Sequence, residues 1–227
     1  MSIAGHVTLL IGSPRGGRST SAQLGGFLVA RLQERGWTAD TVNARAASAS
    51  AAAWTELARA VAASDLVIVA MPLYVDSLPA PLIETFERLY ASRRNSPSLK
   101  PQRLVAIMNC GFPEARQNET ALAICRCFAR CAGFRWDGGL ALGMGGMLSG
   151  QPIAEHGRTH AVAVALRRTA EDLAGGGAIP EAAAQALAKP MMPVWLYRMM
   201  AELSFRITAW RRGVRHLGAR PYAREDN

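Results

Sequence analysis

The sequence predicts an α/β protein built on a doubly wound, five-stranded parallel sheet. Short apolar segments recur along the chain, and patterns with helical periodicity separate them. Parallel strands need such helical crossovers, and the helices then cover both faces of the sheet. A loop rich in glycine and hydroxyl residues follows the first strand, which favours the strand order 2-1-3-4-5 with a ligand at the carboxyl ends of the strands.

Strands and helices alternate through residue 173. The predicted strands are residues 6–11, 37–42, 66–70, 103–109 and 136–142. The predicted helices are residues 21–35, 51–63, 80–92, 116–132 and 156–173. The first helix, for example, places Leu24, Leu28 and Leu32 on one face at intervals of four residues. Because the strands are parallel, the loops after strands one, three and four should meet at one site.

A second part follows the three glycines at 175–177. Residues 179–189 and 190–210 are predicted to be helical, so we expect a domain of residues 1–175 and a helical, basic extension of residues 178–227. The last helix carries one apolar stripe: Leu196, Met199, Met200, Leu203, Ile207 and Trp210. The stripe could dock on the sheet domain, pack in a homo-dimer or larger oligomer, or make weak contact with an anionic membrane surface.

Length and composition limit the possible classes of protein. The 227 residues suffice for one domain with a substantial core, and no apolar run approaches the roughly 20 residues of a membrane span. The N-terminus lacks a signal-peptide pattern, so we expect a cytoplasmic location. The formal charge of +9 favours anionic ligands or surfaces, but no nucleic-acid-binding motif accompanies it, and nucleic acid is not expected as a partner.

The loop after the first strand has the composition of a phosphate site. It reads Gly-Ser-Pro-Arg-Gly-Gly-Arg-Ser-Thr-Ser from Gly12 to Ser21. Glycines let backbone N–H groups converge, hydroxyls and arginines add donors, and the start of the next helix supplies partial positive charge. The sequence therefore predicts that this loop holds a phosphate.

Two common nucleotide-binding motifs do not fit this loop. Arg18 stands where the P-loop pattern has lysine, and neither the third nor the fourth predicted strand ends in a carboxylate for magnesium. The Rossmann glycine spacing is absent, and no acidic residue ends the second strand. A mononucleotide with one terminal phosphate fits better than either.

Two further loops have the chemistry of a ring-binding site. Residues 71–81, after the third strand, are largely apolar and contain three prolines and Tyr74. Residues 109–114, after the fourth strand, contain Phe112. A flat apolar ring system with a polar edge would suit these walls, with an aromatic side chain against the ring and backbone amides at its heteroatoms.

These loops resemble those of the NADPH-dependent FMN reductases and related flavodoxin-like quinone reductases. The resemblance is carried by Gly-Ser-x-Arg and a serine-rich helix start (12–21), Pro-x-Tyr leading through serine and proline into a helix (72–79), and the segments 109–114 and 143–147. It covers residues 5–175 and implies a flavodoxin-like fold.

By position in these motifs, the resemblance implies two groups of cofactor-binding residues. The FMN phosphate would be bound by Ser13, Arg15, Ser19, Thr20 and Ser21. The isoalloxazine would be flanked by Pro72, Leu73, Tyr74, Asn109, Cys110 and Gly111. Arg18 is predicted to contact a second phosphate or the nicotinamide nucleotide, and the alternative is a solvated arginine at a helix start.

The resemblance also implies an activity. Hydride from NADPH or NADH would pass through FMN to a quinone, free flavin or similar small acceptor, and no catalytic side chain is expected because the flavin carries the chemistry. One alternative is an FMN-binding electron carrier without reductase activity, although such carriers are typically acidic and shorter. Another is a phosphate-binding regulatory protein without flavin.

No metal is expected. Cys125 and Cys127 would lie about 200° apart on a helix, so they cannot converge with Cys131 on an iron–sulfur cluster. His156 and His160 have helical spacing but no nearby third ligand. Four cysteines in a chain of this length do not indicate a disulfide framework.

Overall fold

The computed structural model describes residues 5–94, 100–148, 152–154, 156–214 and 217–218. Its strands are β1 (His6–Ile11), β2 (Thr38–Asn43), β3 (Leu66–Pro72), β4 (Arg103–Asn109) and β5 (Arg135–Leu142). They form one parallel sheet in the order β2-β1-β3-β4-β5. The predicted fold class and strand order are confirmed.

Helices cover both faces of this sheet. They are α1 (Thr20–Gln33), α2 (Ala44–Ala49), α3 (Ala51–Ala63), α4 (Ala80–Arg94), α5 (Glu119–Cys131), α6 (His160–Ala174), α7 (Glu181–Ala188) and α8 (Val194–Arg211). One core lies between the sheet and α1, α6 and α7, and the other lies between the sheet and α2, α3, α4 and α5. In β3, Ile68 faces the first core while Val67 and Val69 face the second, so the strand is apolar on both sides.

Side-chain caps set two helix starts that differ from the sequence prediction. α1 begins at Thr20 because Ser19 caps it, its side chain accepting a hydrogen bond from Ala22 N–H. α2 was not predicted from the sequence. It starts because the Asn43 side chain accepts hydrogen bonds from the N–H groups of Arg45 and Ala46. Such a six-residue helix has no periodic pattern long enough to detect.

The second strand is shifted by one residue from its prediction. Trp37 N–H donates to Leu32 O, so this residue belongs to the exit from α1, and pairing with β1 begins at Thr38. The side chain of Trp37 is buried against the first core. Trp37 is thus a core residue that precedes the strand and is not part of the sheet.

The chain divides into two compact units, residues 1–191 and 192–227. In the first unit, α7 packs against α6 and β5. In the second, the main element is α8. None of the helices in the described part of the chain is long and apolar enough to cross a membrane. Whether the stripe on α8 meets the sheet domain, a second subunit or a membrane surface stays a prediction.

A buried carboxylate ties the amino-terminal ends of β4 and β5 to the turn after α6. Asp137 is 4% exposed and pairs with Arg103 Nε and, at 2.7 Å, with Arg135 Nε. Arg103 Nη1 also donates to Leu173 O at 2.8 Å, and Arg135 Nη2 donates to Gly176 O at 3.0 Å. One acidic side chain therefore organises two arginines and the end of a helix.

We predict that Asp137→Asn lowers the free energy of unfolding by about 3 kcal/mol, because it leaves the largely buried guanidinium of Arg103 without its counter-charge. Urea denaturation followed by circular dichroism measures the change. The matched control is Glu34→Gln, which removes a half-exposed carboxylate from an i,i+3 pair with Arg31 and should change stability by no more than about 0.5 kcal/mol. Equal effects of the two variants would contradict this assignment.

Candidate functional site

A cavity of about 280 Å³ lies where the loops after β1, β3, β4 and β5 meet. Eleven of the twelve residues assigned to cofactor binding from the sequence line it: Ser13, Arg15, Ser19, Thr20, Ser21, Pro72, Leu73, Tyr74, Asn109, Cys110 and Gly111. Arg18 is not among the lining residues and is exposed on a short 3₁₀ turn. Gly145 and Gly146 complete the lining.

Two glycines shape the turn after β1. Gly12 N–H donates to Ala70 O at 2.9 Å, and a Cβ at this residue would lie 2.7 Å from Leu82 Cδ2. Gly16 has φ of 60°, a conformation that favours glycine. The resulting bend buries Ser13 and leaves Arg15 exposed, while both side chains still border the cavity.

The hydroxyl of Ser19 serves the turn and the helix. Its Oγ accepts a hydrogen bond from Ala22 N–H at 3.1 Å as the N-cap of α1, and donates to Gly16 O at 2.7 Å. A hydroxyl has one hydrogen to donate, and here that hydrogen is directed at a backbone carbonyl. Ser19 therefore fixes the shape of the loop.

The next two hydroxyls join the start of α1 to distant loops. Thr20 Oγ1 donates to Gly145 O at 3.1 Å. Ser21 Oγ donates to Asn109 Oδ1 at 2.7 Å, and this bond is buried. Both hydrogens are thus directed at protein acceptors, and these side chains hold the loops after β4 and β5 against the helix.

The groups that fit an anion at this end of the cavity are not the hydroxyls of Ser19, Thr20 and Ser21. N–H groups in the first turn of an α-helix have no intrahelical acceptor, and the helix dipole makes this end of α1 partially positive. Ser19 Oγ satisfies the N–H of Ala22, so Thr20 and Ser21 contribute the N–H groups that fit an anion. Arg15 adds a guanidinium. Ser13 Oγ accepts a long hydrogen bond from Arg15 N–H at 3.3 Å, which leaves the Ser13 hydroxyl hydrogen for a ligand.

An apolar wall follows β3. Leu73 N–H donates to Asn109 O at 2.9 Å, which holds the start of this loop against the end of β4. Tyr74 and Ser77 then exchange two backbone hydrogen bonds of 3.0 Å around a two-residue turn. Both turn residues, Val75 and Asp76, have positive φ, of 49° and 55°. Tight turns of this kind favour asparagine and glycine, so the β-branched Val75 is strained there.

Cys110 forms part of the wall after β4. Its N–H donates to Leu142 O at 3.0 Å, and Asn118 Nδ2 donates to its sulfur at 3.3 Å. Burial raises the pKa of the Cys110 thiol above its ordinary value. The thiol is therefore uncharged near neutral pH and presents a largely apolar surface to the cavity.

The other cysteines lie elsewhere. Cys125 is buried in the second core, and burial raises its pKa to about 12. Cys127 and Cys131 are exposed on α5. Within the described residues, no three His, Cys, Asp or Glu side chains are grouped so as to hold a metal ion.

The loop after β5 was missed as a binding element in the sequence. Gly145 N–H donates to Cys110 O at 2.8 Å, and a Cβ at Gly145 would lie only 2.8 Å from Asn109 Nδ2. A Cβ at the neighbouring Gly146 would meet nothing within 4 Å. In the sequence, segment 143–147 contributes only to the family resemblance. Its position at the carboxyl end of a fifth parallel strand was the signal that could have placed it at the site.

We predict that Gly145→Ala lowers the free energy of unfolding by about 1–3 kcal/mol, because the new methyl group displaces Asn109 from its buried bond to Ser21. The control is Gly146→Ala, one residue along the same loop, which should change stability by no more than about 0.5 kcal/mol. Urea denaturation in the absence of ligand measures both. A destabilisation shared equally by the two variants would mean that the contact with Asn109 is unimportant.

The site chemistry suits a ligand with two parts. Helix N–H groups, Ser13 and Arg15 fit a phosphate. The walls from Pro72 to Tyr74 and from Asn109 to Gly111 present apolar surface, which fits a flat ring system. The cavity thus matches the two chemical halves of a flavin mononucleotide.

Comparison with known proteins identifies the family of the chain. A family model described as NADPH-dependent FMN reductase matches residues 6–130, more than half of the chain, and this range contains the loops after β1, β3 and β4. Comparison with curated protein sequences gives no match.

Solved structures show the same fold at low sequence identity. An NAD(P)H:quinone oxidoreductase from Methanothermobacter marburgensis has a TM-score of 0.53 and 15% identity, covering 75% of this chain and 96% of that one. An NADH:FMN oxidoreductase in its apo form has a TM-score of 0.55 and 16% identity, covering 84% and 97%. A flavodoxin from Streptococcus pneumoniae TIGR4 has a TM-score of 0.52 and 14% identity, covering 75% and 99%.

The family match and the site geometry lead to one assignment. A reductase of this type takes hydride from a nicotinamide nucleotide, and the flavin performs the redox chemistry in a pocket that the protein shapes. The chain belongs to the NADPH-dependent FMN reductase family and is an FMN-using, NAD(P)H-dependent oxidoreductase.

Proposed function

We propose that this reductase passes electrons from NADPH or NADH, through FMN held in the cavity, to a quinone, free flavin or similar small acceptor. The observation that carries the proposal is the cavity itself, where an anion-binding helix start meets apolar walls from two other loops. FMN, when bound, supplies the hydride-accepting chemistry. The protein supplies position, shape and charge.

The phosphate would be held mainly by the backbone. The N–H groups of Thr20 and Ser21 at the start of α1 and the Ser13 hydroxyl are donors, because the N–H of Ala22 is bonded to Ser19 Oγ. Arg15 adds charge and a fork of N–H groups that matches phosphate oxygens. The hydroxyls of Ser19, Thr20 and Ser21 would act indirectly, because their hydrogens are donated to acceptors within the protein. They fix the position of the donors.

The ring would lie against the loops after β3 and β4. A Cβ at Gly111 would meet nothing within 4 Å, so the backbone here is open to a ligand. Neutral Cys110 and the adjoining Leu73 offer apolar contact. These residues would orient the ring and limit the access of water to one of its sides.

Exposed apolar side chains on the same two loops favour a flat apolar acceptor. Tyr74 is 47% exposed and Phe112 is 54% exposed, and Val75 at the turn tip is almost fully exposed. A quinone or a second flavin presents a planar face to such side chains, and stacking on an aromatic ring stabilises it. This pattern supports a quinone or flavin over a small inorganic acceptor.

The phosphate assignment separates the two arginines of the loop. We predict that Arg15→Ala weakens FMN binding at least about tenfold, since a charge-assisted contact to phosphate is lost. Arg18→Ala removes the same charge from the same loop outside the cavity lining and should weaken binding less than about threefold. Titration of apo-protein with FMN, read by flavin fluorescence, measures both affinities. A loss as large for Arg18→Ala would invalidate the phosphate position.

The proposed electron path is tested by anaerobic reduction. In protein loaded with FMN, NADPH or NADH should remove the absorbance of oxidised flavin at about 450 nm. A benzoquinone should then restore this absorbance. Bound FMN that neither nucleotide reduces would assign the chain to the electron carriers. Failure of apo-protein to bind FMN would leave the regulatory, phosphate-binding alternative. Reduction by NAD(P)H without reoxidation by quinone would exclude that acceptor class.

A further inference from the structure

The C-terminal unit, residues 192–227, carries a disproportionate share of exposed apolar side chains. Of fifteen large hydrophobic residues that are exposed in the described chain, nine lie in this unit: Trp195, Met199, Met200, Leu203, Phe205, Ile207, Trp210, Val214 and Leu217. Most belong to α8. Exposed apolar surface concentrated on one short segment marks an interaction site.

Most of these side chains share one side of α8, here called the Trp195–Trp210 face. Trp195, Met199, Leu203 and Ile207 follow one another at intervals of four residues, and Trp210 comes seven residues after Leu203. At 100° per residue they span about 120°, and the two tryptophans are separated by about 22 Å along the helix. They are 68% and 74% exposed. The face therefore has the amphipathic indole ring of a tryptophan near each end.

The end of α8 is fixed by its own capping motif. Gly213 has φ of 75°, Val214 N–H donates to Ala209 O at 2.9 Å, and Gly213 N–H donates to Trp210 O at 3.0 Å. This pair of bonds is a Schellman motif, which satisfies the last carbonyls of a helix locally. Val214 and Leu217 extend the exposed apolar surface beyond the turn.

The charge of the unit decides between possible occupants. Residues 192–227 contain seven arginines against three acidic residues. In the described part of α8 and its cap, Glu202 pairs with Arg206 at 2.9 Å, while Arg198, Arg211 and Arg212 add further positive charge. Two copies packed through this segment would bring like charges together, whereas an anionic surface would neutralise them.

We propose that the C-terminal unit binds the surface of an anionic phospholipid bilayer, with α8 parallel to the membrane and its Trp195–Trp210 face in the headgroup region. Tryptophan and methionine side chains suit the partly hydrated headgroup region, and arginines would contact the lipid phosphates. Arg206 lies within this face, about 20° from Trp195, and it can extend its aliphatic part along the face and keep its charge in the headgroups. The inference does not depend on the acceptor of the reductase.

Vesicle binding tests this surface in the full-length, FMN-loaded protein. Protein should co-sediment with vesicles of equal parts phosphatidylcholine and phosphatidylglycerol, and only weakly with pure phosphatidylcholine. Trp195→Ser combined with Trp210→Ser should lower the partition coefficient by more than about tenfold. The control is Phe205→Ser. Phe205 is equally exposed on the same helix but lies about 160° from Leu203, so this variant should retain binding.

A second variant tests the electrostatic contribution to vesicle binding. Arg211→Gln combined with Arg212→Gln should weaken binding to the mixed vesicles by about fivefold for each arginine removed. Equal binding to both kinds of vesicle would overturn the anionic assignment. No binding to either, with a dimer in sedimentation velocity that the double tryptophan variant converts to monomer, would assign the face to a second copy. Unchanged flavin absorbance in each variant shows that the sheet domain is intact.

Discussion

The site depends on Asn109, which ends β4 at the meeting point of the other loops. Its Oδ1 accepts the buried hydrogen bond from Ser21, and its backbone oxygen accepts from Leu73 N–H. Its Nδ2 lies so close to Gly145 that no side chain fits there. One residue therefore holds the start of α1, the loop after β3 and the loop after β5 in register. Because these contacts are buried, losing one would leave unsatisfied polar groups inside the protein.

The fold could be predicted from the sequence because buried parallel strands are apolar on both sides. β3 shows this without interruption, while β1 contains Thr8 and β4 has polar residues only at its two ends. The helices between the strands have clear periodicity. Once the strands are parallel, their carboxyl ends share one edge, so three loops far apart in sequence must converge. The location of the site thus follows from topology, before any single side chain is considered.

The roles of individual residues could not be predicted in the same way, since they depend on partners distant in sequence. Thr20 and Ser21 look like ligand donors in a hydroxyl-rich loop, yet their acceptors are Gly145 and Asn109, 125 and 88 residues away. Arg15 and Arg18 are arginines in the same loop and look equivalent in the sequence. The turn at Gly16 places only Arg15 at the cavity. Local pattern identifies a loop, whereas tertiary contacts decide which of its atoms face a ligand.

The two proposed anion contacts of this chain should respond differently to salt. In the cavity, backbone dipoles and a buried hydroxyl act at short range in a concave, partly dry site, where screening is weak. On α8 the arginines are exposed, and at physiological ionic strength their influence decays over about 8 Å. Raising the salt concentration would therefore release the proposed membrane contact while FMN stays bound. A reductase with these two proposed contacts would change its access to lipid-dissolved acceptors without losing its cofactor, because the two contacts reside in separate parts of the chain.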